Sequence, residues 1–173
     1  MLLPWMVERF GVRAVYMIRH PCAVVASQLR HGNWDEVEKS FCDHPVLFAE
    51  YPHISTVFEN IQRQDEILAF NWAIQNFVPL IYLQDFPDAF IATTYEQMHE
   101  ERMKEVTRLF RELGEELPSR AESMLNQPSA TTKNEATSQH SQAQLAKWRR
   151  HLSETQINRI LSVTHEVGIS LYM

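Results

Sequence analysis

The sequence has few glycines, few cysteines and no excess of basic residues. Its 173 residues include four Gly, two Cys, and 16 Lys and Arg against 22 Asp and Glu, for a net charge of −6. The two isolated cysteines, Cys22 and Cys42, do not make a disulfide framework, so we expect a reducing, cytoplasmic environment. The acidic balance argues against a general nucleic-acid-binding protein, which carries a broad basic face. Any anion site must therefore be local.

Long apolar runs are also missing. The N-terminal stretch MLLPWMVERFG is interrupted by Glu8 and Arg9, so it is typical of neither a signal peptide nor a membrane span. The apolar fraction of 45% and the charged fraction of 22% are ordinary for a globular protein. The length suits one domain with a sizeable core. We therefore expect a single domain over residues 1–173, with no membrane or nucleic-acid partner.

The hydrophobic pattern predicts an α/β protein that is rich in helix and has few parallel strands. Apolar, β-branched runs predict buried strands at residues 13–18 (RAVYMI) and 89–95 (AFIATTY). Helices are predicted at residues 3–10, from Pro21 towards Gly32, and from a capping box at Thr56 to a kink or end at Pro79. Three more are predicted: one that ends at Gly114, one that begins at Ser119, and one from a capping box at Ser153 to Gly168. Two strands alone do not make a stable sheet.

The remaining segments are predicted from their composition. Residues 32–54 read as irregular because they contain two prolines and scattered aromatic side chains, and the polar residues 126–142 read as a loop. The charged run EERMKEVTRLFRE is interpreted as a solvated helix face with ion pairs at helical spacing. The charged run does not predict a binding stripe.

The clearest chemical signal lies in YMIRHPCAVVASQLRHGNW, residues 16–34. Arg19 follows a predicted strand, where ligands of open parallel sheets lie, and Pro21 suits the first position of a helix. A helix N-terminus beside a guanidinium suits a phosphate group, and Ser27 adds a hydroxyl from the helix. On spacing alone an alternative stays open, in which Arg19 makes a surface ion pair and Ser27 is a neutral helix residue.

Taken as a whole, this run resembles the second signature of the sulfotransferases that use 3′-phosphoadenosine 5′-phosphosulfate (PAPS). That signature is a strand, R-[DH]-P, a helix, and a serine eight residues after the arginine; here it reads IRHPCAVVASQLRHG, in a form similar to the bacterial branch. TTYEQM followed by FRELG resembles a later strand and helix of the family. LAKWRRHLSETQINRIL resembles its C-terminal Trp-basic stretch and last helix. The resemblance covers essentially the whole chain.

The resemblance implies a fold, a reaction and three site residues. The fold is a P-loop NTPase-like, three-layer α/β sandwich, and the reaction transfers a sulfuryl group from PAPS to a hydroxyl or amine. Arg19 and Ser27 would bind the 3′-phosphate of PAPS or of its product adenosine 3′,5′-bisphosphate (PAP), and Tyr95 would lie near the adenine. An alternative for Tyr95 is a half-buried aromatic at a strand end. Lys133 could replace a basic family stretch, although a lone loop lysine is usually solvated.

The sequence also departs from the family. No P-K-[ST]-G-[ST]-[ST] loop is present to hold the 5′-phosphosulfate, and no histidine precedes Arg19 to act as the usual base. Sulfuryl transfer depends on positioning and electrostatic stabilisation, so the catalytic residues are unknown. We expect the C-terminal part of a sulfotransferase, whose true start need not be Met1, with self-association or a partner supplying the rest. The alternative is an inactive remnant acting as a nucleotide-binding or interaction module.

Metal and acceptor sites have weaker signals. The histidines at 20, 31, 44 and 53 lack metal-binding spacing and no C-x-x-C is present, so no metal site is predicted; His20 is expected to cap the helix instead. Four aromatic residues either line an acceptor pocket or belong to the core, and the core is favoured: Trp34, Phe41, Phe48 and Tyr51.

Overall fold

A computed structural model describes residues 3–30, 39–88, 90–125 and 145–172. The described part is a mixed α/β structure, rich in helix, with two parallel strands. Its helices are α1 (Leu3–Phe10), α2 (Pro21–Arg30), α3 (Pro45–Glu50), α4 (Pro52–Asn60), α5 (Gln64–Asp85), α6 (Tyr95–Glu100), α7 (Arg102–Leu113), α8 (Ala121–Leu125) and α9 (Glu154–Val167), with 3₁₀ helices at Lys39–Cys42 and Lys147–Arg150; the strands are β1 (Ala14–Ile18) and β2 (Phe90–Thr94).

The chain divides into two compact units. The first unit comprises Met1–Ile18 and Asp85–Ala146, and the second comprises Arg19–Gln84 and Lys147–Met173. Both units are discontinuous in sequence.

The first unit is built on the parallel pair of β1 and β2, in which Ala14 is opposite Phe90 and Ile18 is opposite Thr94. Helix α7 packs on β2, burying Val106 and Leu109. Gly114 ends α7 with a φ of 78°, a left-handed conformation that glycine adopts without strain, as the sequence predicts.

The second unit has an all-helical core. Helix α9 packs against α2 and α4. An ion pair joins α9 to the start of α5, because Arg159 Nη2 lies 2.7 Å from Oδ2 of the buried Asp65. The largest fully buried side chains of this core are Phe70, Ile54, Leu68, Ile160, Val25 and Val167.

The predicted long helix from Thr56 is wrong in its start and in its continuity. Thr56 lies inside α4 and donates its hydroxyl to the Pro52 carbonyl at 3.4 Å, so it does not cap a helix. The helical structure is interrupted between α4 and α5. There the Glu66 side chain accepts the backbone N–H groups of Gln62 and Arg63 at 3.0 and 2.9 Å. Those bonds satisfy two backbone amides just before α5, in the link between the helices.

Prolines account for two further differences. Residues 45–54, predicted to be irregular, are largely helical, because Pro45 and Pro52 each open a helix at a position where the missing N–H is not needed. Pro79 does not end α5, which continues to Asp85 with the proline buried in its interior. Apolar packing along α5 therefore outweighs the lost backbone bond.

Several predicted features lie outside the described residues: Trp34, Lys133 and the polar stretch 126–142, together with the side chain of Phe41. Within the described ranges, no helix combines the length and the apolar character needed to cross a membrane.

Candidate functional site

Arg19 and His20 form the connection that leads into α2. The His20 carbonyl accepts the N–H groups of Ala23 and Val24 at 3.0 and 3.2 Å. Its ring Nδ1 accepts the N–H of Cys22 at 3.2 Å. His20 therefore caps α2, as predicted, and Pro21 is the first helical residue, also as predicted. Arg19, half-buried, immediately precedes this cap.

Ser27 lies exposed on α2, in the same unit as Arg19. Helical spacing puts it on the face of His20 and Val24, about 10 Å along the axis from His20. An anion that contacts both Arg19 and Ser27 must therefore lie along the flank of α2, beside its first two turns.

Trp148 covers the beginning of α2. Its ring stacks on His20 with centroids 4.7 Å apart and an interplanar angle of 28°. Tyr172 contacts the same imidazole, with centroids 4.9 Å apart. Trp148 is buried, and the Cζ atom of Arg149 lies 4.5 Å from the centre of its ring. The ring of His20 thus contacts two aromatic side chains that come from the C-terminal part of the chain.

The same C-terminal segment also reaches the other end of α2. Arg30, the last residue of the helix, donates Nη1 to His151 Nε2 at 3.2 Å. Arg19 thus precedes α2 and Arg30 ends it, so these two cations flank opposite ends of one helix within a chain whose net charge is −6.

The two cysteines are not nucleophiles in this arrangement. Burial raises the pKa of the Cys22 thiol to about 12, although Arg149 and a backbone hydrogen bond act in the opposite direction. Burial also raises the pKa of Cys42 to about 11. Because the thiolate is the reactive form, both thiols are inert at neutral pH while the unit is folded. They are free, as the cysteine count predicts.

Tyr95 belongs to the first unit, and it starts a helix instead of ending a strand. Strand β2 ends at Thr94, whose hydroxyl accepts the Gln97 N–H while the Gln97 side chain accepts the Thr94 N–H, forming a capping box. Tyr95 is half-buried, and its hydroxyl is 3.1 Å from His99 Nε2. Since Arg19 and Ser27 belong to the second unit, the adenine role of Tyr95 stays a prediction.

A cavity of about 530 Å³ lies in the second unit, and Arg19, Ser27 and Tyr95 are not among the described residues that line it. It is formed by the C-terminal turns of α5 and the segment after α9, and its lining residues are Phe77, Leu80, Ile81, Leu83, Gln84, Gly168, Ile169, Ser170 and Leu171. The sequence pattern does not predict this cavity, because its two walls are distant in the chain.

The aromatic residues weighed for an acceptor pocket pack on other rings. The ring centroid of Phe48 lies 5.1 Å from that of Phe58 and 6.4 Å from that of Phe70. The ring centroid of Tyr51 lies 5.0 Å from that of Phe77. Both side chains are half-buried and do not belong to the fully buried core, so the core interpretation stays a prediction. Among the residues that the structure describes, no group of three or more His, Cys, Asp or Glu side chains is arranged to hold a metal ion.

Comparison with known proteins does not place the chain in a family: no family model matches it, and no curated protein or solved structure matches it significantly.

Proposed function

We propose that this chain is a cytoplasmic, PAPS-binding protein of the sulfotransferase type, with a P-loop NTPase-like α/β fold, and that Arg19 and Ser27 bind the 3′-phosphate of the nucleotide. One observation carries the proposal. Arg19, half-buried, immediately precedes a helix that is capped by His20, and Ser27 is exposed on the His20 face of that helix. The spacing is that of the family signature, which the run IRHPCAVVASQLRHG resembles.

The chemistry of Arg19 and Ser27 supports a phosphate ligand. A guanidinium donates two parallel hydrogen bonds to a pair of phosphate oxygens, and a serine hydroxyl adds a third donor. In an acidic chain such a ligand gains little from the overall charge, so its affinity must come from these local groups.

The proposed reaction is transfer of the sulfuryl group from PAPS to a hydroxyl or amine, and this chain is proposed to supply the 3′-phosphate half of the site. The sequence has neither a P-K-[ST]-G loop nor a histidine before Arg19, so no residue is assigned to catalysis. The same observation favours a second candidate, an inactive module that binds the nucleotide without turnover. Release of PAP from PAPS in the presence of hydroxyl and amine acceptors separates the two.

The test is calorimetric titration of the purified chain with PAP, with 5′-AMP as the ligand that lacks the 3′-phosphate. We expect PAP to bind and 5′-AMP to bind at least tenfold more weakly. Arg19→Ala should weaken PAP binding by about 10- to 100-fold, since a charge-assisted contact contributes about 1.5–3 kcal/mol. Ser27→Ala should weaken it by about fivefold.

Arg13→Ala is the matched control, because Arg13 is an exposed arginine in the other unit. It should bind PAP like the wild-type chain. Equal affinity for PAP and 5′-AMP, or an Arg19→Ala variant that binds as tightly as Arg13→Ala, would contradict the proposal.

A further inference from the structure

The cavity of the second unit has the size and the lining of a small-molecule site. Its volume of about 530 Å³ falls within the range of about 300–1,000 Å³ that is typical of ligand pockets. Most of the described residues that line it are aliphatic or aromatic, and two have a neutral polar side chain, Gln84 and Ser170. A mostly apolar lining with a few polar groups is the usual composition of such a pocket.

The wall that contains Phe77 is supported by the beginning of α4. Phe77 is buried, and its ring makes edge-to-face contacts with Tyr51 and His53, with centroids 5.0 and 6.0 Å apart. His53 Nε2 donates to the Val167 carbonyl at 3.2 Å, so the same histidine also contacts the last residue of α9. These contacts hold the ring in place, and this side of the cavity is therefore formed before any ligand binds.

The second wall, the segment after α9, is fixed by backbone hydrogen bonds. The Gly168 N–H donates to the His165 carbonyl at 2.8 Å, and the Ile169 N–H donates to the Thr164 carbonyl at 3.0 Å. Gly168 has a φ of 113°, and a Cβ at this position would lie 3.0 Å from Cε2 of Phe77. Glycine therefore allows the backbone to approach the Phe77 ring closely, and the two walls of the cavity meet there.

The polarity of the lining limits which ligand can bind. Among the described residues that line the cavity, none has an ionisable side chain. A charged group would lose water there without gaining a partner of opposite charge, which is unfavourable. Gln84 and Ser170 are exposed and so lie at the mouth, where their side chains can both donate and accept hydrogen bonds. Leu171, which is 52% exposed, adds apolar surface to the same opening.

We infer that this cavity binds an uncharged, largely apolar small molecule that has one hydrogen-bonding group, with the apolar body against Phe77 and the polar group at Gln84 and Ser170. The inference goes beyond the proposed function and stands without it, because Arg19 and Ser27 are not among the described lining residues. It concerns binding, and no reaction is assigned to the cavity.

The experiment is a titration of the full chain, labelled at its isoleucine methyl groups, followed by NMR with 1-octanol as the probe. The methyl signals of Ile81 and Ile169, which line the cavity, should shift and saturate with a Kd on the order of 1 mM or tighter. Ile67 is the internal control, because it lies on α5 about 21 Å along the axis from Ile81, and its signal should not move.

The effect of ligand charge is measured with octanoate and octylammonium, which have the same chain length as 1-octanol. Each should bind at least about fivefold more weakly, because the lining offers neither charge a partner. The use of both signs separates this effect from the net charge of −6 of the chain, which acts on the two ions in opposite directions.

Variants test the location and the polar contact. Leu80→Trp fills part of the cavity and should weaken binding of 1-octanol at least tenfold. Val78→Trp is the matched control, since Val78 is also a half-buried aliphatic residue of α5 but is not among the described lining residues, and it should stay within about threefold. Gln84→Met keeps the chain length, removes the amide and should weaken binding about threefold.

The outcomes separate this inference from its competitors. Saturable shifts confined to Ile81 and Ile169, and abolished by Leu80→Trp alone, support it. Equal shifts at Ile67, equal affinity for the charged probes, or equal effects of the two tryptophan variants would refute it, and the first two comparisons use the wild-type chain, so they hold even if Leu80→Trp does not fold. Shifts that follow the protein concentration instead of the octanol concentration would show a second copy of the chain in the cavity, which also overturns the inference. A failed PAP titration would leave all of these results unchanged.

Discussion

At the scale of single residues, Glu105 is buried although the sequence pattern around it predicts an exposed position. The charged run around it predicts a solvated face, yet Glu105 is 4% exposed, so that interpretation is wrong at this position. Thr93 donates its hydroxyl to Glu105 Oε1 at 2.5 Å, and Arg108 Nε donates to Oε2 at 2.9 Å. Arg108 also donates to the Ala92 carbonyl at 2.9 Å, which fixes α7 on β2.

This network makes a prediction about acid stability. The hydrogen bond from Arg108 is the largest cause that lowers the pKa of Glu105, from 4.5 to about 2, against the opposing effect of burial. Because the pKa is lower in the folded state, the stabilisation is complete above about pH 4.5 and is lost as the pH falls towards 2. Glu105→Gln should cost about 3 kcal/mol at pH 7 and should remove this part of the acid dependence.

Urea unfolding at pH 7, 4 and 3 measures both effects. The control is Glu112→Gln. Glu112 is another ion-pair partner of Arg108, but its side chain is 37% exposed. We expect it to cost at most about 0.5 kcal/mol, as exposed pairs do. A Glu105→Gln variant no less stable than Glu112→Gln would show that burial of the pair contributes nothing.

At the same scale, the sequence predicted part of the candidate site. The position of Arg19 before a helix, the cap at His20 and the helical position of Ser27 follow from local rules about proline and spacing. The stack of Trp148 on His20 could not be predicted, because the two residues are far apart in sequence and meet only through tertiary packing. Burial of Glu105 was missed for the same reason.

At the scale of elements, helix ends were predictable where capping residues were explicit. Ser153 and Gln156 form the predicted capping box, and Gly168 ends α9 at a φ of 113°. Thr94 and Gln97 form a capping box that the sequence pattern does not predict, because the apolar run before it predicts a strand through Tyr95. Pro45 and Pro52 contribute to the prediction of an irregular segment, although proline also starts helices.

The capping box of α9 can be tested by a single substitution. Ser153→Ala removes the hydroxyl that accepts the Gln156 N–H at 3.2 Å, so it should lower the free energy of unfolding by about 1 kcal/mol. Thr155→Ala is the control, an exposed change within the first turn of the same helix, and it should stabilise by a few tenths of a kcal/mol through helix propensity. Chemical denaturation followed by circular dichroism measures both; equal effects would exclude a capping role.

At the scale of the whole molecule, the parallel sheet leaves apolar surface uncovered. Val15 and Met17 of β1 are 41% and 48% exposed, and Trp5 and Phe10 of α1 are 54% and 62% exposed. Parallel sheets are normally covered on both faces, and exposed apolar patches mark interaction surfaces. Within the described residues β1 pairs with β2 alone, so the edge of β1 that faces away from β2 has no neighbouring strand.

We therefore expect the isolated chain to self-associate. Sedimentation velocity at about 50 μM should show species larger than the 20.3 kDa monomer, because burial of this surface between copies is favourable. A Val15→Thr, Met17→Lys double variant should shift the distribution towards monomer. Val46→Lys is the control, since Val46 is 81% exposed but lies in the second unit, and it should change nothing. A wild-type chain that sediments only as monomer would refute the expectation.

The two buried cysteines have a consequence for kinetics. Cys22 and Cys42 both lie in the second unit, fully inaccessible, with thiol pKa values of about 12 and 11, and the first unit contains no cysteine. An alkylating reagent can react with them only after the second unit opens, when each thiol regains an ordinary acidity. The rate at which the unmodified chain is alkylated therefore reports how often the second unit opens.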